Sequence, residues 1–277
     1  MIKDIVVNLE HDVLRDPARE FAITVAEAFD AHIAGVAFAY APEFPDYVML
    51  EMPPSIVAVM VEESKKAAEA AIERFDEAAR RSSLSAEHRL VRTIGLEAPT
   101  LFAALARRFD LSIFLQSNPD GVANDDIIES SLFESGRPVV VVPYIHRHGL
   151  KLDRVVCCWD GGRAAARAIN DALPLLAKAD KVDLLIVEND KTKNETTEIR
   201  GVEMASHLAR HDVKVEIEII PAPDIDVADA ILSHVADESG TLIAMGGYGH
   251  AKLREIILGG VTRAMLKSMT VPIFMSH

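Results

Sequence analysis

The chain has 277 residues, of which 49% are hydrophobic, and a formal net charge of −14. This length allows one large domain or two of ordinary size, and the apolar content is ample for buried cores. The negative charge argues against nucleic acid and anionic membranes as partners, because both repel an acidic surface. No apolar run is long enough to span a membrane and the N-terminus lacks a signal-peptide pattern, so we expect a cytoplasmic protein.

Strand-like apolar runs alternate with helical patterns along the first half of the chain. Strands are predicted at 5–7, 33–40, 88–93, 111–115 and 139–142. Helices are predicted at 17–32, 54–81, 99–109 and 126–133, with a loop at 41–47.

The second half repeats this order of elements. Strands are predicted at 154–159, 181–187, 213–219, 242–245 and 271–275, and helices at 163–176, 196–211, 227–238 and 264–267, with a polar loop at 190–193. We therefore predict two domains, 1–147 and 148–277, joined by a short polar segment. Strands that alternate with helices imply an α/β class with two tandem doubly wound, Rossmann-like, five-stranded and mainly parallel sheets.

Both cysteines, Cys157 and Cys158, lie side by side in one predicted strand. Neighbouring strand residues point to opposite faces of a sheet, so a disulfide between them is not expected. We interpret them as small buried hydrophobic residues, which agrees with a reducing cytoplasm.

A cluster of glycines near the C-terminus is the clearest candidate for a functional site. Gly246-Gly247-Tyr248-Gly249 follows a predicted strand, and Gly259-Gly260-Val261-Thr262 precedes a predicted helix. Glycine lets the backbone approach a ligand closely, and the first turn of a helix offers free N–H groups, so the pattern indicates an anion site. A tight turn after the strand is the alternative explanation.

Other predicted elements bring further residues to the same place. Ligands of parallel sheets bind outside the carboxyl ends of the strands. Asp160 follows the first strand of the second half and Val187 ends the second, so both are expected near the Gly246 loop.

The spacing Gly-x2-Gly-x9-Gly at the end of an α/β chain resembles the nucleotide loop of the universal stress proteins. The resemblance extends over nearly the whole chain as a tandem pair of such domains, of the adenine-nucleotide hydrolase type of fold. It implies that the second half binds ATP, with or without Mg²⁺. Asp160 then lies near base and ribose, Val187 meets adenine through its backbone, and Met245 and Gly246 flank the ribose. Gly249, Gly259, Gly260 and Val261 offer amides to the phosphates.

Three points of this assignment stay open. Gly260 replaces the Ser or Thr of the family pattern, and Thr262 is an alternative source of that hydroxyl. Asp160 also precedes a helix and fits an N-cap role. Lys252 and Arg254 lie between the glycines, either as solvated side chains or as phosphate ligands.

A bulky side chain at Gly246 or Gly259 is expected to abolish ATP binding and to leave the fold nearly intact.

The first half departs from the family pattern. Gln116-Ser117-Asn118-Pro119 stands where the glycine loop would be, and the insertion that follows adds carboxylates. Glu10 still matches Asp160. We therefore expect a degenerate first domain that holds no nucleotide.

Two functions from different classes remain. One is a nucleotide-binding stress-response or signalling protein whose bound ATP alters its surface for a protein partner. The other is a slow ATP hydrolase, or an enzyme that uses ATP to activate a substrate. Catalysis needs a positioned base or metal near the phosphates, and no catalytic or metal-binding residue is assigned, so binding is favoured. In single-domain relatives the final strands pair across a dimer axis, which predicts an intramolecular pseudo-dimer with 139–142 against 271–275. A homodimer stays open.

Overall fold

The computed structural model describes residues 1–11, 15–118, 121–188, 195–247 and 260–277. Gly249, Gly259, Lys252 and Arg254 lie outside the described residues, as does the predicted polar loop at 190–193. No helix in the described part of the chain is long and apolar enough to cross a membrane.

The chain forms two compact units. Unit 1 comprises Met1–Arg137 and Arg147–Gly149, and unit 2 comprises Pro138–His146 and Leu150–His277. The last strand predicted for the first half, at 139–142, therefore belongs to unit 2.

Unit 1 contains a parallel sheet with helices between its strands. In chain order its elements are β1 (Asp4–Asn8), α1 (Pro17–Phe29), β2 (His32–Tyr40), α2 (Asp46–Glu51), α3 (Pro54–Arg81), β3 (Ala86–Thr93), α4 (Ala98–Ala106), β4 (Leu111–Leu115) and α5 (Asp125–Glu134). The strand order is β3-β2-β1-β4. The pairs β1–β2, β1–β4 and β2–β3 are all parallel. Helix α2 was not predicted: it begins inside the expected loop, after Pro45, whose fixed φ suits the residue before a first helical turn.

Unit 2 repeats the pattern and adds one antiparallel pair. Its elements are β5 (Val139–Val142), β6 (Arg154–Cys158), α6 (Arg163–Leu176), β7 (Lys181–Glu188), α7 (Glu195–Ala209), β8 (Val215–Pro221), α8 (Val227–Asp237), β9 (Leu242–Gly246), α9 (Gly260–Ser268) and β10 (Ile273–Ser276). The order is β5-β10-β9-β6-β7-β8. Val141 pairs with Ile273 and Val139 with Met275, so the predicted contact between these two strands is confirmed.

Three strands are buried along their whole length, which shows that both of their faces are covered. All residues of β4, β5 and β10 are buried. Phe21, Phe75, Phe102 and Phe114 fill the core of unit 1, and Phe274 lies in that of unit 2. The predicted class, α/β with mainly parallel sheets, is confirmed.

In each unit one strand has neighbours on both sides that come later in the chain. β1 lies between β2 and β4, and β6 lies between β7 and β9. Such a reversal of strand order leaves a crevice at the carboxyl ends of the strands. Each unit therefore offers one natural ligand site, and both crevices contain a cavity.

Candidate functional site

A cavity of about 330 Å³ lies at the carboxyl ends of β6, β7 and β9 in unit 2. This volume falls within the range of roughly 300–1,000 Å³ that is usual for small-molecule sites. Seven of the predicted site residues line it, namely Asp160, Val187, Met245, Gly246, Gly260, Val261 and Thr262. The other two, Gly249 and Gly259, lie outside the described residues.

Asp160 is exposed at the mouth of this cavity, two residues beyond the end of β6. Its Oδ1 accepts a hydrogen bond of 2.7 Å from the amide of Gly162. Gly161 has a φ of +74°, a value that favours glycine, so the chain turns sharply here. The residue that caps α6 is Gly162, without a side-chain hydrogen bond, so the structure does not support the alternative N-cap role of Asp160. The turn instead fixes the carboxylate before a ligand arrives.

Apolar side chains from three elements form the wall of the cavity. Val187 and Leu185 come from β7 and Met245 from β9. Val227 and Ile231 of α8 also line it, and sequence reasoning missed both. Their four-residue spacing places them on one helix face, which was the available signal. A flat aromatic ligand matches such a wall better than a charged one.

Gly246 ends β9 against the backbone of α6. A Cβ added to it would lie 2.5 Å from the carbonyl carbon of Ala164 and 2.5 Å from the amide nitrogen of Ala165. Both atoms belong to the helix backbone and cannot move independently of α6. The expectation that a bulky residue at Gly246 leaves the fold nearly intact is therefore wrong.

The first turn of α9 closes one side of the cavity. Gly260, Val261 and Thr262 form this turn and line the cavity, and backbone amides at the start of a helix are the ones that can point at an anion. No acidic residue lies in this turn, so the helix dipole favours an anion there. Gly260 is exposed, and a Cβ on it would meet nothing within 4 Å. Thr262, the alternative source of a hydroxyl, is 3% exposed.

Two further lining residues, Cys158 and Trp159, immediately precede Asp160. Burial raises the pKa of the Cys158 thiol to about 12, and the nearby charge of Asp160 adds to the rise. Cys157 is also a free thiol, is fully buried, and has its pKa raised mainly by burial. Both therefore remain neutral thiols at pH 7, which agrees with a packing role. Trp159 was missed, although its place next to Asp160 was a usable signal.

The corresponding helix of unit 1 has the opposite electrostatic character. α5 begins with Asp125 and Asp126, whereas α9 has no acid in its first turn. Carboxylates at a helix N-terminus neutralise its preference for anions. Of the two crevices, the one in unit 2 is therefore the better suited to phosphate.

Comparison with known proteins identifies one related sequence. No protein-family model matches the chain. A universal stress protein of Synechocystis sp. is 23% identical over 138 residues, which is 50% of this chain. The match covers 46% of that relative, so only about half of its length is represented.

Solved structures match over almost the full chain. A universal stress protein from Archaeoglobus fulgidus DSM 4304 has a TM-score of 0.72 at 15% identity, covering 99% of this chain and 95% of its own. The chain has the tandem universal stress protein fold. A putative universal stress protein from Pseudomonas aeruginosa UCBPP-PA14 also aligns over 99% of this chain and 93% of its own, with a TM-score of 0.63 and 17% identity. The resemblance that the glycine spacing suggested is thus confirmed for the universal stress fold in both halves.

Proposed function

We propose that this chain is a nucleotide-binding stress-response or signalling protein of the cytoplasm that holds ATP, or another adenine nucleotide, in the unit 2 cavity. The observation that carries the proposal is the convergence of seven predicted site residues around one cavity at the strand-order reversal. These residues come from four separate parts of the chain. A chance arrangement of turns would not gather them at one edge.

Each part of the cavity suits one part of a nucleotide. The apolar wall of Val187, Ile231 and Met245 suits a purine base. Asp160 offers a carboxylate to hydroxyl donors such as those of ribose. The amides of Gly260 and Val261, with the positive end of the α9 dipole, suit phosphate.

The same geometry favours binding over hydrolysis. Phosphoryl transfer needs a base or metal ligand beside the phosphates. Among the described residues that line the cavity, Asp160 is the sole carboxylate, and the family resemblance assigns it to the base and ribose. Slow hydrolysis remains the second candidate, supported by the presence of that one carboxylate.

The first experiment identifies the ligand directly. The purified protein is denatured, and the released small molecules are analysed by mass spectrometry. We expect an adenine nucleotide, and incubation of the native protein with ATP and Mg²⁺ should give no phosphate above the rate without protein. Absence of bound nucleotide together with no calorimetric signal for added ATP would refute the proposal. Steady release of phosphate would instead support the second candidate function, slow ATP hydrolysis.

The second experiment tests the phosphate end. Gly260→Asp places a carboxylate in the first turn of α9, where α5 already has two. We expect ATP to bind about tenfold more weakly, because the amides and the dipole then face a like charge. Gly260→Ala should bind ATP like the parent, since a Cβ there meets nothing within 4 Å. Ser55→Asp, on the exposed first turn of α3 in unit 1, controls for the added charge.

A further inference from the structure

The crevice of unit 1 contains a second cavity, of about 720 Å³. It lies at the carboxyl ends of β1 and β2 and beside the start of α5. Its lining includes Asn8, Glu10, His11, Phe38, Tyr40 and Asn124. The cavity occupies the same place in unit 1 as the candidate nucleotide site occupies in unit 2, but its polar groups differ.

Glu10 is the charged centre of this cavity and is only 8% exposed. Its Oε1 accepts hydrogen bonds from Nδ2 of Asn124 at 2.7 Å and from Nδ2 of Asn8 at 3.0 Å. Asn124 is itself held by a 2.9 Å bond to the carbonyl of Leu115. No described residue donates a hydrogen bond to Oε2, so this oxygen is the acceptor left for a ligand.

The charge on Glu10 lacks a countercharge among the described residues that line the cavity. Neither lysine nor arginine is among them. Asp16, which is buried nearby, adds a second negative charge, and burial together with that charge raises the pKa of Glu10 to about 7. An ionised carboxylate in such a place is costly unless a cation or a proton joins it.

Aromatic rings form the wall beside this carboxylate. The ring of Tyr40 stacks on Phe38 with centroids 5.9 Å apart and lies 6.0 Å from the ring of His11. Tyr40 is 39% exposed, so it can present ring surface to a ligand. Faces of aromatic rings attract ammonium and guanidinium groups.

We propose that the unit 1 cavity binds a small organic cation, with its ammonium or guanidinium group on Glu10 and its carbon chain against Tyr40 and Phe38. The acids at the start of α5, Asp125 and Asp126, repel phosphate from the same crevice. A bare metal ion fits less well, because the amide N–H groups of Asn8 and Asn124 point at Glu10 Oε1 where an ion would need oxygen. The proposal is independent of what unit 2 binds.

Calorimetric titration of the full chain at pH 8 with putrescine, agmatine and choline tests this directly. We expect at least one of these amines to bind with one site per chain. Glu10→Gln should lower the affinity for that amine about tenfold or more, because the substitution removes the charged partner of the ammonium or guanidinium group. Tyr40→Leu should weaken it about two- to fivefold through loss of the ring face.

The controls separate binding from folding. Glu63→Gln makes the same change on an exposed part of α3 and should leave the amine affinity unchanged. Glu10→Gln should melt no lower than the parent and should bind ATP as the parent does, which shows that both units are folded. Failure of all three amines to bind below about 10 mM, a very weak affinity, would overturn the proposal. So would equal affinity of the parent and Glu10→Gln, or a site filled by adenosine or MgCl₂ and by none of the amines.

Discussion

Gly246 at the end of β9 lies against Ala164 of α6, and a Cβ on Gly246 would come within 2.9 Å of the Ala164 Cβ. The carbonyl carbon of Ala164 would be closer still, at 2.5 Å. This contact joins the strand that ends at the cavity to the helix whose first turn borders it. The glycine is therefore required by packing, whether or not a ligand is bound.

Gly246→Val should destabilise unit 2 by about 2 kcal/mol or more, because the added carbons overlap helix backbone that cannot be repacked by a side-chain rotation. Urea unfolding measures the change. Gly260→Ala is the matched control, since its Cβ meets no atom within 4 Å, and it should alter stability by less than about 0.5 kcal/mol. A Gly246→Val protein as stable as the parent would show that α6 can move away from β9.

Gly260→Ser should raise the affinity for ATP more than the affinity for ADP. The family pattern has Ser or Thr here, and a side-chain O–H adds one hydrogen bond to a charged phosphate, worth roughly 1.5–3 kcal/mol or about tenfold in affinity. Gly260 is exposed with open space around it, so the serine fits without displacing a neighbour. Calorimetric titration of both nucleotides into both proteins measures the effect. An unchanged ratio of ATP to ADP affinity would mean that Thr262 or water already fills this role.

Glu10→Gln should stabilise the protein at high pH and should lose that advantage as the pH falls. The folded state raises the pKa of Glu10 from 4.5 to about 7, so it binds a proton more tightly than the unfolded state does. Stability of the parent therefore decreases as pH rises from 4.5 to 7 and is flat above that, a loss of about 3 kcal/mol at most. Among the described residues, the titratable groups near Glu10 are Asp16, whose carboxylate accepts from the Glu10 amide, and His11 and Tyr40, which line the same cavity.

Urea unfolding of both proteins at pH 5.5 and pH 8.5 measures this difference, and effects of the other titrating groups largely cancel between them. The gap between variant and parent should be larger at pH 8.5. Glu63→Gln, on the exposed surface of α3, should show a small gap that does not change with pH. A Glu10→Gln gap that is equal at both values would contradict a raised pKa.

Arg154→Ala should destabilise unit 2 by about 3 kcal/mol or more. Its Nε donates to Oδ2 of Asp183 at 2.7 Å, and Asp183 is fully buried, so the substitution removes the nearest countercharge of a carboxylate inside the sheet and leaves it Lys181 at 3.7 Å. The double variant Arg154→Met with Asp183→Leu removes both charges and should lose much less stability. Thermal or urea unfolding of the parent and the two variants measures these changes. An equal loss of stability in both variants would show that the loss comes from side-chain packing and not from the lost countercharge.

Asp183, Glu216 and Glu218 have the spacing of metal ligands, but Arg154 and Lys181 form ion pairs with this group.

Several elements could be predicted because their signals are local. Helix α3 matches its predicted range of 54–81, since Ala, Glu, Lys and Arg favour helix throughout it. Helix α2 was missed because six residues carry too little periodicity to distinguish a helix from a loop. Helix α9 is longer than predicted because Gly260 is unfavourable in a helix interior but is tolerated at the first position.

The sequence by itself determined the α/β class, the repeat and the edge of the sheet at which Asp160, Val187 and Gly246 meet. Alternating strands and helices allow few topologies, and the carboxyl ends of parallel strands share one edge. Only the tertiary structure decided which atoms those residues contact. It placed Val227 and Ile231 in the cavity wall, Ala164 against Gly246, and Asn124 on Glu10 across 114 residues of chain. Such contacts depend on how helices pack across the sheet, and local sequence patterns do not specify that distance or direction.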